Sequence, residues 1–158
     1  MTTPRRPTIL RAGEGDFYDV VGDRYRLLAC KEQTDSTYGF MEARVLPGGG
    51  PPPHVHSREE EGFYVLEGEM VFYCDGEKHI AGPGAFVHLP KGTTHRFHNE
   101  SDAETRMLVI MAPGGMEKMF TEIGIPVSDP NAPIAPVTEG VMQGIMEITP
   151  KYGIELKV

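Results

Sequence analysis

No run of apolar residues in this 158-residue chain approaches the ~20 needed to span a bilayer as a helix. Basic residues are in deficit, 15 Lys and Arg against 23 Asp and Glu, for a formal charge of −8. Nucleic acid and anionic membrane surfaces both ask for a positive face, so neither is an expected partner. Basic paired helices of the helix-turn-helix kind are missing too, which argues against a DNA-binding regulator. Cysteine is scarce: Cys30 and Cys74 alone, not at metal-ligand spacing. The opening MTTPRRPTILRAGEGDF has arginines but no apolar stretch after them, so no secretory signal is read, a cytoplasmic location is expected, and the two thiols are expected reduced.

What the chain does have is punctuation. Nineteen glycines and fourteen prolines cut it into short segments. Between Tyr25 and Met111 the segments RYRLLAC, YGFMEARVL, GFYVLEGEMVFYC, AFVHLP, THRFHN and TRMLVIMA are rich in β-branched and aromatic residues, the signature of strands. Regular short strands without βαβ alternation or internal repeat predict one closed all-β barrel or sandwich.

Beyond Pro113 the pattern changes. Met116, Met119, Phe120 and Ile123 follow helical spacing, with Gly124 at the C′ position. PVSDPNAPIAPV reads as an extended connector, and a second helix is expected over 138–149 with Val141, Met142, Ile145 and Met146 on its apolar side. The tail YGIELKV could add an edge strand. The Met-rich helices are expected to cover the barrel's apolar surface, with pocket lining as the alternative. The expected organisation is an N-terminal arm (1–24), a barrel core (25–112) and a C-terminal helical extension (113–158).

The chemistry concentrates in PPPHVHSREEEGFYVLEGEM, from Pro51 onward. Residues two apart on a strand share a face, so His54 and His56 can present their imidazoles side by side to a divalent first-row metal. In the strand that follows, Glu61, Phe63 and Val65 share one face and Glu60 points the other way. Periodicity alone does not choose between Glu59 and Glu61.

Gly48 to Gly68 reads G-x5-H-x-H-x4-E-x6-G, and Gly84 to Asn99 reads G-x5-P-x-G-x2-H-x3-N. The two resemble, in order, the first and second motifs of the cupin superfamily. The resemblance implies a single double-stranded β-helix (cupin or jelly-roll) barrel with short C-terminal helices. It also implies one divalent transition metal per chain (Mn, Fe, Ni, Co or Zn) held by His54, His56, Glu61 and His95. In that register Glu59 and Glu60 fall in a loop or on the outer surface. His79, His88 and His98 are expected at the surface or satisfied locally, with His88 or His98 as alternative supports for a ligand.

Phe63 and Phe97 follow ligands at two-residue spacing and should face inward, lining a substrate pocket or simply filling the barrel. Among cupins the chain resembles the small quercetin dioxygenase-like proteins. That likeness implies oxygenative cleavage of a flavonol or related enol, with Glu61 as ligand and general base. A redox-neutral metal enzyme (isomerase, decarboxylase or cyclase) and a non-enzymatic binding barrel are the alternatives. Cupins commonly pair through N-terminal arms, so a homodimer is expected.

Overall fold

The structure is a computed structural model describing residues 4–157; the first three residues of the expected arm and Val158 of the tail lie outside the described residues. Among the described residues, twelve strands form two antiparallel sheets. In chain order they are β1 (Asp16–Val20), β2 (Asp23–Ala29), β3 (Gly39–Val45), β4 (His54–His56), β5 (Glu60–Glu67), β6 (Met70–Cys74), β7 (Glu77–Ala81), β8 (Phe86–Leu89), β9 (His95–His98), β10 (Thr105–Ala112), β11 (Ile125–Val127) and β12 (Ile154–Leu156). One sheet has the order β11-β1-β2-β3-β10-β5-β8 and the other β12-β4-β9-β6-β7. This is the jelly-roll barrel the motifs imply. Three α-helices accompany it among the described residues, α1 (Lys31–Thr34), α2 (Glu117–Ile123) and α3 (Glu139–Ile148).

Alternation builds the interior. Met41, Ala43 and Val45 of β3 face inward, as do Met107, Val109 and Met111 of β10, with partly exposed residues between them. Phe63, Phe72 and Phe97 meet in a tilted cluster with ring centroids 5.2 to 6.4 Å apart, which fills the barrel beneath the histidines.

Both sheets draw strands from outside the expected core. β1, from the expected arm, pairs with β2 and β11. β12, from the tail, lies at the sheet edge against β4, with Ile154 opposite His56. β7 carries no apolar alternation because four of its five residues are exposed.

The connector 128–137 is not left loose. Arg24, fully buried, donates to both oxygens of Asp19 (2.7 and 2.9 Å) and to the carbonyls of Pro130, Ala132 and Pro133 at 2.8, 2.7 and 3.2 Å. Glu117 pins α2 in a similar way, accepting from Lys31 N at 2.6 Å and Gly115 N at 2.7 Å.

Two details differ from the sequence reading. Gly124 closes α2 in an extended conformation (φ −71°, ψ 153°), not a left-handed one. Glycine is required there by crowding, since a Cβ would stand 2.2 Å from Phe120 O and 2.8 Å from Tyr18 Cβ. In α3, capped by Thr138, Met146 is exposed while Ile145 is buried and Ile148 partly so. The buried stripe is rotated toward Ile148 because α3 runs directly into a 3-10 turn, Thr149–Tyr152, that leads to β12.

Candidate metal centre

Four side chains converge inside the barrel from both sheets. His54 and His56 stand on β4, and His95 opens β9 directly opposite His54. Glu61 comes from β5 in the other sheet and faces the three imidazoles. Gly50, just ahead, lets the incoming chain lie against β9, since a Cβ there would be 2.1 Å from Phe97 O. The prolines at 51–53 then lead into β4. All four side chains are buried, and one ligand atom from each lies within 4.8 Å of the others.

The histidines are oriented by what their far nitrogens touch. His54 Nδ1–H donates to Pro52 O at 2.8 Å and His95 Nδ1–H to Thr93 O at 3.0 Å. A carbonyl only accepts, so in both rings the lone pair is left on Nε2. Glu61 Oε1 lies 2.9 Å from His56 Nε2 and 3.2 Å from His95 Nε2, yet Glu61 Oε1 and His95 Nε2 have no hydrogen-bond partner of acceptable angle among the described residues. These buried atoms aim at a common point and not at each other. Ligand atoms about 2.1 Å from a shared centre would stand roughly 3.0 Å apart at right angles and about 3.4 Å apart in a tetrahedron. The residues present therefore fit a divalent ion.

Electrostatics agree with a cluster built around a positive charge. Burial favours a neutral Glu61, but His56 and His95 hold its carboxyl well below the usual range. Burial also depresses the His56 imidazolium, yet Glu59 and Glu61 outweigh it and raise its pKa to about 9. His54 has no such partner; burial, then His95 and His56, push it down to about 4.

Glu59 lies in the loop between β4 and β5, one of the two places the sequence reading allowed, but its side chain is turned inward. It is not on the outer surface but 5% exposed, with Oε2 3.4 Å from His56 Nδ1. Glu60 is the outward one, accepting from Lys91 N at 2.5 Å and paired with His88 Nε2 at 3.2 Å. His88 is thus occupied at the surface, exposed His79 lies beside Glu77, and His98 lies 3.6 Å from Glu100. None of the three supports a ligand.

The cluster opens on a cavity of about 90 Å³, lined on the barrel side by Tyr25, Met41, Phe63, Phe97 and Val109 and on the helix side by Met116, Met119, Phe120 and Ile145. Phe63 and Phe97 thus fill the barrel and wall the cavity at once, and the Met-rich helix α2 does more than cover apolar surface. Among the described residues no Lys or Arg lines the space; Asp23, Tyr25 and Thr149 are its polar members beside the cluster. Asp23 was not legible as a cavity residue, because its neighbours in sequence mark only a strand start.

A closed two-sheet barrel with three histidines and a glutamate gathered inside it defines a cupin. The Cupin domain family matches residues 41–111. The chain is 30% identical over 109 residues to the polyketide synthase CurC of Streptomyces cyaneus, covering 68% of this chain and 71% of that protein. It is 33% identical over 121 residues to quercetin 2,3-dioxygenase of Bacillus subtilis, covering 76% of this chain but only 35% of that enzyme's length. In fold it resembles KdgF from Halomonas, with TM-score 0.64 and 20% identity over 72% of this chain and 99% of that one. The chain belongs to the cupin superfamily.

Proposed function

We propose that this cupin is a metal-dependent dioxygenase of the quercetinase type, acting on a flavonol or another aromatic or enol substrate bound in the barrel. The observation that carries the reading is the union of a buried three-histidine, one-glutamate cluster with an apolar cavity free of lysine and arginine. Such walls suit a substrate that is neutral until it is deprotonated at the site, and they offer nothing to a phosphate or a dicarboxylate.

His54, His56, Glu61 and His95 would hold one divalent ion. That ion, when bound, supplies Lewis acidity toward a substrate oxygen and, if redox-capable, electron exchange with dioxygen. The residues do the rest. Glu61 accepts the substrate hydroxyl proton on a carboxylate oxygen. Phe63 and Phe97 keep water from the ring being cleaved, and the backbone carbonyls of Pro52 and Thr93 fix two imidazoles in their metal-binding tautomer.

The cavity also bears on substrate size. About 90 Å³ holds roughly three waters, whereas drug-sized ligands occupy about 300–1,000 Å³. A small enol enters as the cavity stands; a flavonol requires Met116, Met119 and Phe120 to move outward with α2.

A second reading is redox-neutral chemistry on an enol or keto acid, such as cyclisation or isomerisation. It is favoured by the likeness to CurC, which spans most of that protein's length. The chain is further read as a homodimer joined through its N-terminal segment, and a one-chain mass in light scattering would remove that reading.

Oxygen uptake separates the two chemistries. Metal-free protein is loaded separately with Mn, Fe, Ni, Co and Zn and offered quercetin and small enolisable diketones. Uptake with a redox-capable metal and none with zinc is the expected result. Turnover with zinc and no oxygen consumption would transfer the assignment to the redox-neutral class.

A further inference from the structure

We infer that Glu59 is a positioning residue for the metal centre, acting through His56. The three imidazoles are not equivalent. His54 and His95 each turn Nδ1 toward a neutral backbone carbonyl, Pro52 O and Thr93 O, whereas His56 turns Nδ1 toward a carboxylate, Glu59 Oε2 at 3.4 Å.

The carboxylate has been brought there at a cost. Glu59 is 5% exposed, and neither Glu59 Oε2 nor His56 Nδ1 makes a hydrogen bond of acceptable angle among the described residues, so the 3.4 Å approach between them is the polar contact each has there. A buried carboxylate left unmatched is strongly disfavoured, so a site with no use for one would carry an apolar or exposed residue. The turn Ser57–Arg58 folds Glu59 back onto His56. That turn is fastened from outside, with Ser57 N donating to Gly153 O at 3.0 Å and Arg58 Nη1 to Lys151 O at 3.1 Å. The carboxylate is thus held in place by β12 and the turn before it, not by its own contacts.

The consequence is chemical. A carboxylate set beside the outer nitrogen of a ligating imidazole favours a proton on that nitrogen and raises the basicity of the opposite one more than a neutral acceptor does, and the 3.4 Å approach needs only a small rotation of Glu59 to become a hydrogen bond. His56 Nε2 becomes the strongest nitrogen donor of the three. It is also the imidazole nearest Glu61, with Nε2 2.9 Å from Glu61 Oε1. Glu59 and Glu61 thus approach the two different nitrogens of one ring.

This inference rests on reading the cluster as a metal centre, and the experiment separates the two. Co(II) and Zn(II) affinities are measured by chelator competition for the parent, Glu59→Gln and Glu59→Ala, and the visible absorption of each Co(II)-loaded protein is recorded. Glu59→Gln keeps an acceptor without the charge and should lose about tenfold in affinity; Glu59→Ala should lose up to about a hundredfold. Both should shift the Co(II) bands, while far-UV circular dichroism and metal-free melting show the fold retained. Parent-like affinity and parent-like bands in Glu59→Gln would overturn the inference while leaving the centre in place. Should Glu59→Ala fail to fold, Glu59→Gln decides alone. A parent that binds neither ion overturns the metal reading and this inference together.

Discussion

Replacing Arg24 with Met tests the frame that holds the cavity's helix side. The guanidinium is 1% exposed and neutralises Asp19, itself 5% exposed, while fastening three carbonyls of the connector that precedes α3. Methionine roughly fills the volume, so the loss is electrostatic: a buried carboxylate without its cation. Asp19 would retain only the Ala135 N–H, at 2.9 Å. Breaking a buried pair from one side costs about 3–5 kcal/mol, against about 5–15 kcal/mol for a whole domain. At roughly 2–4 °C per kcal/mol for a chain this size, Tm should fall by about 6–20 °C. Urea denaturation and thermal melting of the metal-free protein measure it. Adding Asp19→Asn should restore part of the loss, since the unpaired charge goes while an acceptor for Ala135 N remains. A loss below about 1 kcal/mol in Arg24→Met would refute the reasoning, because it would mean that water reaches Asp19.

Saturating a metal at about 100 times its Kd should stabilise the folded chain by about 2.7 kcal/mol, raising Tm by roughly 5–11 °C; no rise with any of the five ions would count against the centre. Glu61→Gln assigns the role of the carboxylate: full metal content with turnover lost makes it the base, lowered metal content makes it an anchor, and no change in either removes it from the site. Asp23 gives the pH prediction. Burial raises its pKa from 3.8 to about 7 despite hydrogen bonds from the Leu46 and Gly50 amides. The folded state therefore holds a proton that the unfolded state has released. The resulting stability is fully present below pH 3.8 and is lost as pH rises through about 7, by about 4 kcal/mol. Urea midpoints of the parent minus those of Asp23→Asn, from pH 4 to 8, should show that slope, and parallel curves would refute it. Phe120→Ala should cost about 3–5 kcal/mol and favour larger enols, raising the ratio of kcat/KM for quercetin over a small diketone about tenfold; an unchanged ratio would place the route to the cavity elsewhere.

Much of the site was legible because its geometry is carried by short-range periodicity. His54 and His56 share a face whatever the rest of the chain does, and the parity of β5 separates Glu60 from Glu61. Choosing Glu61 over Glu59 needed the motif register, and the structure shows why parity was silent. Both carboxylates are buried and both approach His56, one at Nδ1 and one at Nε2. They differ in which side of the same ring they reach, and that is set by a turn. The turn at Ser57–Arg58 is tied to residues 151 and 153, nearly a hundred positions away, so no local pattern could report it. A different reason hid β7, whose exposure removes the alternation that marks a half-buried strand, while β1 pairs locally with β2 but owes its other edge to β11, more than a hundred positions away.

The cavity follows a different logic. Its barrel side could be anticipated, because Phe63 and Phe97 inherit the inward parity of Glu61 and His95. Its helix side could not, because helical periodicity says which side chains of α2 are buried but not what they are buried against. Met116, Met119 and Phe120 could have capped the outside of a sheet with the same spacing. What directs them over the cluster is Glu117. It is fully buried and pulled down by the Lys31 and Gly115 amides, against a backbone that only Gly39 leaves open; a Cβ on Gly39 would stand 2.3 Å from Glu117 Oε2. One polar residue at the start of an apolar helix thus decides that the helix closes a cavity. Glu117→Gln keeps an acceptor for one amide and offers an unwanted donor to the other. The helix side of the cavity should loosen ahead of the barrel, with faster amide hydrogen exchange in residues 117–123 than in β3 or β10. Equal acceleration throughout would mean that α2 and the barrel unfold as one unit, and that the cavity has no separately movable wall.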